Sequence, residues 1–331
     1  VFGTLGYIVA RLWAIEREEA DWAARVARYD AAVLEVVNAA DPLACLAPLA
    51  AARGRDREAI ATLLCSYGER LRGEGWENVV RAMGALGLVA EQLALLDDRR
   101  WWVRARGAWR IGLLEHRPAA PRLLRLLDDP HPFVRVSAAL AASRLGDPAL
   151  IAPLVDRFGR GADCQPLLLK TLLERFGARA VPSLRGLLAA EEPVLRQVAV
   201  ELLGRFGDAR SADAITALLD DPDPELRIKA AKALRSIGTE AACRKLLTLV
   251  DDDAWQLRAM AIKTLGDLGY RPALDALVRA LGDEHFTVRL LAGRALLALG
   301  PEGRAALARC RGLADRYARD VVEQMLADAG A

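Results

Sequence analysis

The sequence predicts an all-α fold, an α-solenoid of stacked two-helix repeats, because two markers recur along the chain with nearly one period. The first marker is an apolar residue followed by Arg, and the second is a glycine that ends a helix. The steps between these arginines are 31, 61, 31, 31 and 31 residues, and the double step contains a degenerate unit with Gln165-Pro166-Leu167. Fixed periods in this range are typical of solenoids, and almost no stretch alternates like a β-strand. The marker positions are Arg104, Arg135, Arg196, Arg227, Arg258 and Arg289, with Gly146, Gly177, Gly207, Gly238, Gly269 and Gly300.

Residues 220–250 show why one repeat is expected to fold as a helical hairpin. Asp223 can cap the first helix by accepting a bond from a free backbone N–H, and Pro224 fits the first helical position, where its missing N–H costs nothing. An apolar stripe at helical spacing follows. Gly238 is expected to end the helix with a positive φ, and a second stripe runs to Val250. One hairpin cannot bury both stripes, so neighbours must stack on each side.

The copies share the motif DDP-x-P-x-[VL]-R-x-x-A-x-x-AL-x-x-[IL]-G over about residues 97–312. This motif resembles the HEAT repeats of the short, PBS-lyase-like kind, and the resemblance covers seven units of about 31 residues. It implies a right-handed superhelix of stacked two-helix HEAT repeats. The least regular unit lies at residues 159–188, where Gly159-Arg160-Gly161 indicates a local insertion or bend. Function does not follow, because these repeats serve enzymes, scaffolds and assembly factors alike.

The domain organisation follows from where the markers occur. The region before the repeats lacks them and suits an irregular cap that shields the apolar end of the array. A charged helix closes the chain. The predicted segments are residues 1–15, a remnant of a transmembrane or membrane-proximal helix; 16–96, the irregular helical N-terminal cap; 97–312, the repeats; and 313–331, a C-terminal capping helix.

The first ten residues, VFGTLGYIVA, are uncharged and are followed by Arg11. A bilayer span takes about 20 apolar residues, so we interpret this stretch as the second half of a transmembrane helix. Arg11 and Arg17 would then lie on the cytoplasmic side of an inner membrane. An amphipathic helix packed on the first repeats explains the same pattern and predicts a cytoplasmic protein. A remnant of a cleaved signal is another explanation of the segment.

A wider resemblance connects the chain with bacterial membrane-anchored HEAT-repeat proteins. It rests on the N-terminal apolar segment, on LVAEQLALLDDRRWWVRA at residues 88–105 and on DRYARD at residues 315–320. Members of that group are often encoded beside membrane glycosyltransferases of exopolysaccharide pathways. The resemblance implies a scaffold on a membrane complex and carries over no catalytic motif.

Charge and cysteine content exclude some classes of function. The 46 basic and 44 acidic side chains give a net charge of +2, which does not predict nucleic-acid binding. The five cysteines are scattered and lack C-x-x-C spacing. Free thiols in a reducing compartment are the plain interpretation.

An Asp lies six residues before most marker arginines. Each such Arg is expected to bridge carboxylates or helix-end carbonyls of adjacent repeats, so that stacking forms a structural ladder. A nucleic-acid stripe would not bring an Asp with every Arg, and breaking one link should destabilise the fold. The ladder residues are Asp98, Arg104, Asp129, Arg135, Arg196, Asp221, Arg227, Asp252, Arg258, Asp283 and Arg289.

The run Arg99-Arg100-Trp101-Trp102-Val103-Arg104 is the sharpest candidate for partner binding. Arg and Trp are typical of interface hot spots, and cations can stack on indoles. Alternatively, Trp101 or Trp102 plugs the seam between the cap and the first repeat, since Trp255 and Phe286 occupy the slot of Trp101 in later repeats.

A second candidate surface is a mixed-charge ridge on the second helices, which the resemblance places on the concave side. Mixed charge suits a protein partner, where it sets register and specificity, and does not suit a polyanion, which needs a track of one sign. The ridge residues are Arg122, Arg125, Asp156, Asp213, Arg244, Asp275 and Arg279.

No catalytic, cofactor or metal residue is predicted. His131 and His285 fall in the helix-capping slot of Asp223, and His116 lies in a turn. Dinuclear-iron HEAT enzymes such as deoxyhypusine hydroxylase use His-Glu pairs on several helices. Only Glu115-His116 and Glu284-His285 occur here, far apart in the array.

The leading functional prediction is therefore a non-enzymatic scaffold that docks a protein at the cytosolic face of a bacterial membrane. A membrane glycosyltransferase of an exopolysaccharide complex is the first partner class to test. A lyase-type or metal-dependent HEAT-repeat enzyme or enzyme subunit is the second hypothesis, and a nucleic-acid-binding protein is the third.

Overall fold

The computed structural model of the chain describes residues 2–160 and 164–328, with side chains from residue 17 onward. Within these ranges it contains α-helices and short 3-10 turns and no strand. The chain divides into two compact units, residues 1–150 (unit 1) and residues 151–331 (unit 2). Gly161, part of the predicted insertion, lies outside the described residues.

Unit 1 begins with a long helix and continues as shorter ones. Helix α1 packs against α3 and α4, and α6 packs against both α5 and α8. The helices are α1 (Phe2–Asn38), α2 (Ala47–Ala50), α3 (Arg55–Arg70), α4 (Glu74–Ala85), α5 (Leu88–Leu95), α6 (Trp101–Leu113), α7 (Ala120–Leu126) and α8 (Pro132–Leu145).

A buried polar network fastens the cap of unit 1 to its first repeat. The guanidinium of Arg110 on α6 is almost fully buried. It donates from Nη1 to Glu58 Oε1 at 3.0 Å and to Gln92 Oε1 at 2.9 Å, and from Nη2 to Thr62 Oγ1 at 2.8 Å. Burying a charge is tolerated only where its hydrogen bonds are made. Around it, apolar residues such as Leu64 and Met83 form the core, and each contributes about 1.5–3 kcal/mol of transfer free energy.

Unit 2 alternates longer first helices with shorter second helices. The first helices are α10 (Pro166–Phe176), α12 (Pro193–Phe206), α14 (Pro224–Ile237), α16 (Trp255–Asp267), α18 (Phe286–Ala298) and α20 (Arg316–Asp328). The second helices are α9 (Ile151–Gly159), α11 (Val181–Leu187), α13 (Ala212–Ala217), α15 (Glu240–Thr248), α17 (Leu274–Ala280) and α19 (Pro301–Arg309). Successive first helices pack side by side from α10 to α20, and second helices pack likewise, for example α13 on α15.

First helices approach one another closely where a glycine meets an alanine of the next repeat. A Cβ built on Gly204 of α12 would lie 2.6 Å from Ala233 Cβ and 2.7 Å from its Cα on α14. Gly266 faces Ala295 in the same way, and in unit 1 Gly112 faces Ala141. No side chain fits at these crossings, so the glycines set the spacing of the helices.

The helix ends follow the sequence expectations with one correction. Asp223 Oδ1 accepts the N–H of Glu225 at 3.0 Å, as an N-cap does. Most marker glycines adopt positive φ, but Gly238 has φ −58° and ψ 137°, so its predicted left-handed conformation is wrong. A Cβ at Gly238 would lie 2.8 Å from the carbonyl oxygen of Leu234 and 2.6 Å from Leu268 Cδ1, so glycine at this position avoids a backbone clash.

Residues 2–15 of the N-terminal segment form the first part of helix α1, which runs without a break to Asn38. Among the helices of the described residues, none combines the length and apolar character that crossing a membrane requires.

Candidate functional site

In unit 1, one carboxylate holds together the first helices of two neighbouring repeats. Arg104 on α6 donates to Asp129 through Nε at 2.7 Å and Nη2 at 2.9 Å. Its Nη1 donates to the carbonyls of Asp98 and Arg99, which belong to its own turn. Both partners are largely shielded from solvent, and a two-bond Arg–carboxylate pair is the strong form of this contact.

Unit 2 repeats the arrangement at Arg258 and Asp283. The two hydrogen bonds measure 2.7 and 2.9 Å, and Arg258 Nη1 donates to the carbonyls of Asp252 and Asp253. The structure thus corrects one detail of the expected ladder. The carbonyls that each Arg bonds are those of its own repeat, and only the carboxylate belongs to the next one.

At the other ladder positions, the distance between the Arg and the Asp of the next repeat is longer, or the Arg bonds no carboxylate. Arg196 lies 3.6 Å from Asp221, and Arg227 lies 3.7 Å from Asp252. The Nε atoms of both arginines are buried without a hydrogen-bond partner among the described residues. Arg135 donates to the carbonyl of Asp129 at 3.1 Å.

The two ends of the ladder differ from its middle. Asp98 accepts three bonds from Arg100, which lower the pKa of Asp98 to about 2. At the other end, the guanidinium of Arg289 lies over the ring of Tyr317, with its carbon 5.4 Å from the ring centroid. Arg319 donates to the carbonyls of Leu313 and Ala314. The sequence reasoning missed Arg319, although it follows Arg289 by 30 residues, because Leu313 replaces the expected Asp.

The same carboxylates position a set of aromatic side chains. Asp129 Oδ1 accepts the backbone N–H of His131 at 2.9 Å, and the His131 ring stacks on Trp101 at a centroid distance of 3.8 Å. Trp102 meets Trp101 edge-on at 5.8 Å, and Phe133 stacks against Trp101 at the same distance. We call Trp101, Trp102, His131 and Phe133 the aromatic surface of unit 1.

Unit 2 carries a second copy of this arrangement. Asp283 accepts the backbone N–H of His285 at 2.8 Å, and His285 stacks on Trp255 at 3.7 Å. The residue spacings match those of unit 1: three from Trp to Arg, 25 from Arg to Asp and two from Asp to His. The signal that could have found both copies is the 30-residue step from Trp to His. Phe286 and Tyr317 are exposed nearby on the following first helices.

The predicted ridge on the second helices is dispersed and largely engaged in exposed ion pairs. Arg122 and Arg125 lie 3.8 and 3.9 Å from Asp97, and Arg279 lies 3.5 Å from Asp251. Such surface pairs contribute at most about 1 kcal/mol each. Of the remaining ridge residues, Asp156 pairs with Arg160, Arg244 lies near Glu240, and Asp213 and Asp275 are exposed.

Burial and pairing shift several titrations near the ladder. Burial alone would raise the pKa of Asp129, but the bonds from Arg104 and His131 outweigh it and lower that pKa. The pKa of Asp283 is lowered in the same way by Arg258 and His285. Away from the ladder, burial raises the pKa of the Cys65 thiol to about 11, which makes this cysteine a poor nucleophile.

The described residues bring no three His, Cys, Asp or Glu side chains together as a metal would require. In the pair Glu284-His285, the carboxylate of Glu284 lies 3.4 Å from the guanidinium of Arg258. Glu115 takes a positive φ of 50° in the slot that Gly146 fills one period later.

Comparison with known proteins identifies the repeat. A sequence model of HEAT repeats matches residues 89–164, 181–257 and 246–327, which together make up more than half of the chain. The chain belongs to the HEAT-repeat family. The predicted all-α solenoid of stacked two-helix repeats is thereby confirmed. Repeats of this kind indicate a role in protein interaction. No curated protein matches this HEAT-repeat chain.

Several solved structures are similar to this chain at low sequence identity. Kap121p bound to Nup53p is 14% identical with a TM-score of 0.53, and the match covers 90% of this chain and 40% of that one. The CpcE–CpcF complex of a Nostoc phycocyanin lyase is 19% identical, with a TM-score of 0.27 over 86% and 92% of the two chains. Human deoxyhypusine hydroxylase is 21% identical, with a TM-score of 0.31 over 92% and 96%. The likeness to Kap121p, at 14% identity, extends to the fold alone.

Proposed function

We propose that this HEAT-repeat chain is a non-enzymatic scaffold that docks another protein on the aromatic surface of unit 1. The observation that carries the proposal is the exposure of large apolar rings on a rigid support. Trp102 is 53% exposed and Phe133 66% exposed, while Trp101 is held between its neighbours. Rings of this size normally reach solvent only singly, and clusters of them mark interaction sites.

The surroundings of these rings match the composition of interface hot spots. Arg99 and Arg100 are exposed at the start of helix α6, directly before the two tryptophans. Trp, Tyr and Arg are the residues most enriched among hot spots. The pairing of Arg104 with Asp129 fixes the backbone beneath the rings, so little conformational entropy is lost when a partner binds.

The proposal extends to the partner class. The resemblance of residues 88–105 and 315–320 to bacterial membrane-anchored HEAT-repeat proteins supports a partner at the cytosolic face of a membrane, such as a glycosyltransferase of an exopolysaccharide complex. A pull-down from solubilised membranes that recovers only soluble proteins would count against this partner class while leaving the docking surface intact.

Site-specific photocrosslinking tests the docking surface. A benzoylphenylalanine at position 133 should crosslink one partner in cells, because this ring lies at the centre of the proposed contact. The same group at position 43, where Leu43 is also exposed in unit 1, is the control and should not. Equal crosslinking at both positions would contradict the proposal.

A further inference from the structure

A groove on the first helices of unit 2 is separate from the aromatic surface. It has a volume of about 680 Å³ and is formed by helices α12, α14 and α16. Its apolar lining includes Ile228, Ala233 and Met260, and its rim carries basic side chains. The basic residues at the groove are Arg205, Lys229, Lys232 and Arg235.

The distribution of lysine in the chain singles out this face. The chain has five lysines among its 46 basic residues, and all five lie in unit 2. Lys170 and Lys229 both pair with the carboxylate of Glu201, which lines the groove. Lys232 and Lys263 lie on the next two first helices. The fifth, Lys245, lies on the second helix α15 and pairs with Asp220 at 2.7 Å.

One row of cations continues across the neighbouring helices with the period of the repeat. Lys232, Lys263 and Arg294 follow one another at 31-residue steps on α14, α16 and α18. Lys232 lines the large groove together with Met260, and Lys263 and Arg294 line the adjoining cleft. Lys263 lies 3.2 Å from Asp267. Among the residues that the structure describes, Lys232 and Arg294 form no ion pair. Burial raises the pKa of Glu201, but Lys170, Lys229 and Lys232 outweigh it and lower that pKa, so Lys232 lies within electrostatic range of Glu201.

The row has the dimensions of a short extended peptide. Packed helices are about 8–10 Å apart, so three cations on successive helices span about 20 Å. A polyproline-type chain has three residues per turn and advances about 3.1 Å per residue, so acidic residues three positions apart lie on one side of it and would meet successive cations. The apolar lining beside Lys232 suits apolar side chains between the acids.

Acidic side chains in the groove favour an acidic peptide over a nucleic acid or polyphosphate as the anionic partner. Glu201 and Glu225 line it, and Asp267 borders the adjoining cleft. A nucleic acid or polyphosphate carries charge at every residue and would lie against these carboxylates, whereas a peptide can place neutral residues there. Complementary charge of this kind sets binding register.

We infer that this row binds an acidic peptide segment of a partner protein, with carboxylates at every third residue and apolar residues between them. The inference rests on the proposed scaffold role and names the chemistry of one partner segment. The row of cations lies outside the aromatic surface, and substitutions in the aromatic surface leave it unchanged. The peptide inference and the proposed docking on the aromatic surface can therefore fail independently.

Fluorescence anisotropy with synthetic peptides tests it on the full chain. The probe is a labelled nonapeptide with Glu at positions 1, 4 and 7 and Leu or Ala elsewhere. The comparison peptide has the same composition with its three Glu adjacent. The wild-type chain should bind the spaced peptide at least tenfold more tightly, and binding should weaken with salt.

Charge reversals at matched lysines identify the surface. Lys232→Glu should weaken binding of the spaced peptide at least tenfold, and Lys245→Glu should leave it unchanged. Arg294→Glu provides an independent variant on another helix, with the same expected loss, should Lys232→Glu fail to fold. The inference is overturned by absent peptide binding, by equal effects at positions 232 and 245, or by tighter binding of a single-stranded oligonucleotide of equal charge.

Discussion

Arg258 and Asp283, 25 residues apart in the chain, form a two-bond ion pair with N–O distances of 2.7 and 2.9 Å. The same carboxylate accepts the N–H of His285, whose ring stacks on Trp255. One side chain therefore links the stacking of repeats to the placement of aromatic rings. The equivalent set in unit 1 supports the proposed docking surface.

Replacing Arg258 with Lys should destabilise unit 2 although the charge is kept. Lysine cannot reproduce the fork that bonds Asp283 while also reaching the carbonyls of Asp252 and Asp253. We expect a loss of about 2–3 kcal/mol in the free energy of unfolding, measured by urea titration with tryptophan fluorescence. The exposed Arg294→Lys is the control and should change stability by less than about 0.5 kcal/mol. Equal effects would show that the fork contributes nothing.

Acid should weaken the fold through the paired carboxylates. The pKa of Asp129 is lower in the folded chain than its ordinary value near 4, so this carboxylate stabilises the fold above that value. The stabilisation is lost as the pH falls from about 4 through the folded pKa. Asp129→Asn should therefore be less stable than wild type at pH 7, and the gap should narrow as the pH falls toward 2. A gap that stays constant over this range would contradict the assignment.

Gly204→Ala should destabilise unit 2, against the usual preference of helices for alanine. The added methyl would lie 2.6 Å from Ala233 Cβ, which forces two first helices apart and costs about 1–3 kcal/mol. Gly186 offers a matched control, because it lies in helix α11 with no atom within 4 Å of its added Cβ. Gly186→Ala should stabilise by up to about 1 kcal/mol. The opposite signs should appear in thermal melts followed by circular dichroism.

The period of the sequence was enough to predict the helical hairpins and the fold class, because each repeat restates the same local signals. It placed Arg258 in the Arg slot of one repeat and Asp283 in the Asp slot of the next. It could not show that His285 stacks on Trp255, because that contact depends on how far one repeat is rotated and shifted against the next. Gly238 illustrates the same limit, since the local helix-ending signal shows neither its negative φ nor its close approach to Leu268 of the following repeat.

The row of cations formed by Lys232, Lys263 and Arg294 was not predicted from the sequence, for a different reason. The charged surface predicted from the sequence lies on the second helices, whereas Lys232 and Lys263 lie on first helices. Their shared slot was visible in the 31-residue step. The sequence does not show the groove beside Met260, nor that Glu201 pairs with Lys170 and Lys229, and these two features are what make the row a candidate binding site.

Quantitative capture of the partner by variants of the full chain tests the docking surface most directly. The double variant Trp102→Ala/Phe133→Ala removes the two most exposed rings of the aromatic surface, and Leu43→Ala removes an exposed apolar side chain elsewhere in unit 1. Mass spectrometry should find one protein from solubilised membranes enriched on the wild-type chain and on Leu43→Ala, and reduced at least tenfold on the folded double variant. Equal recovery of that protein on all three chains would contradict the account.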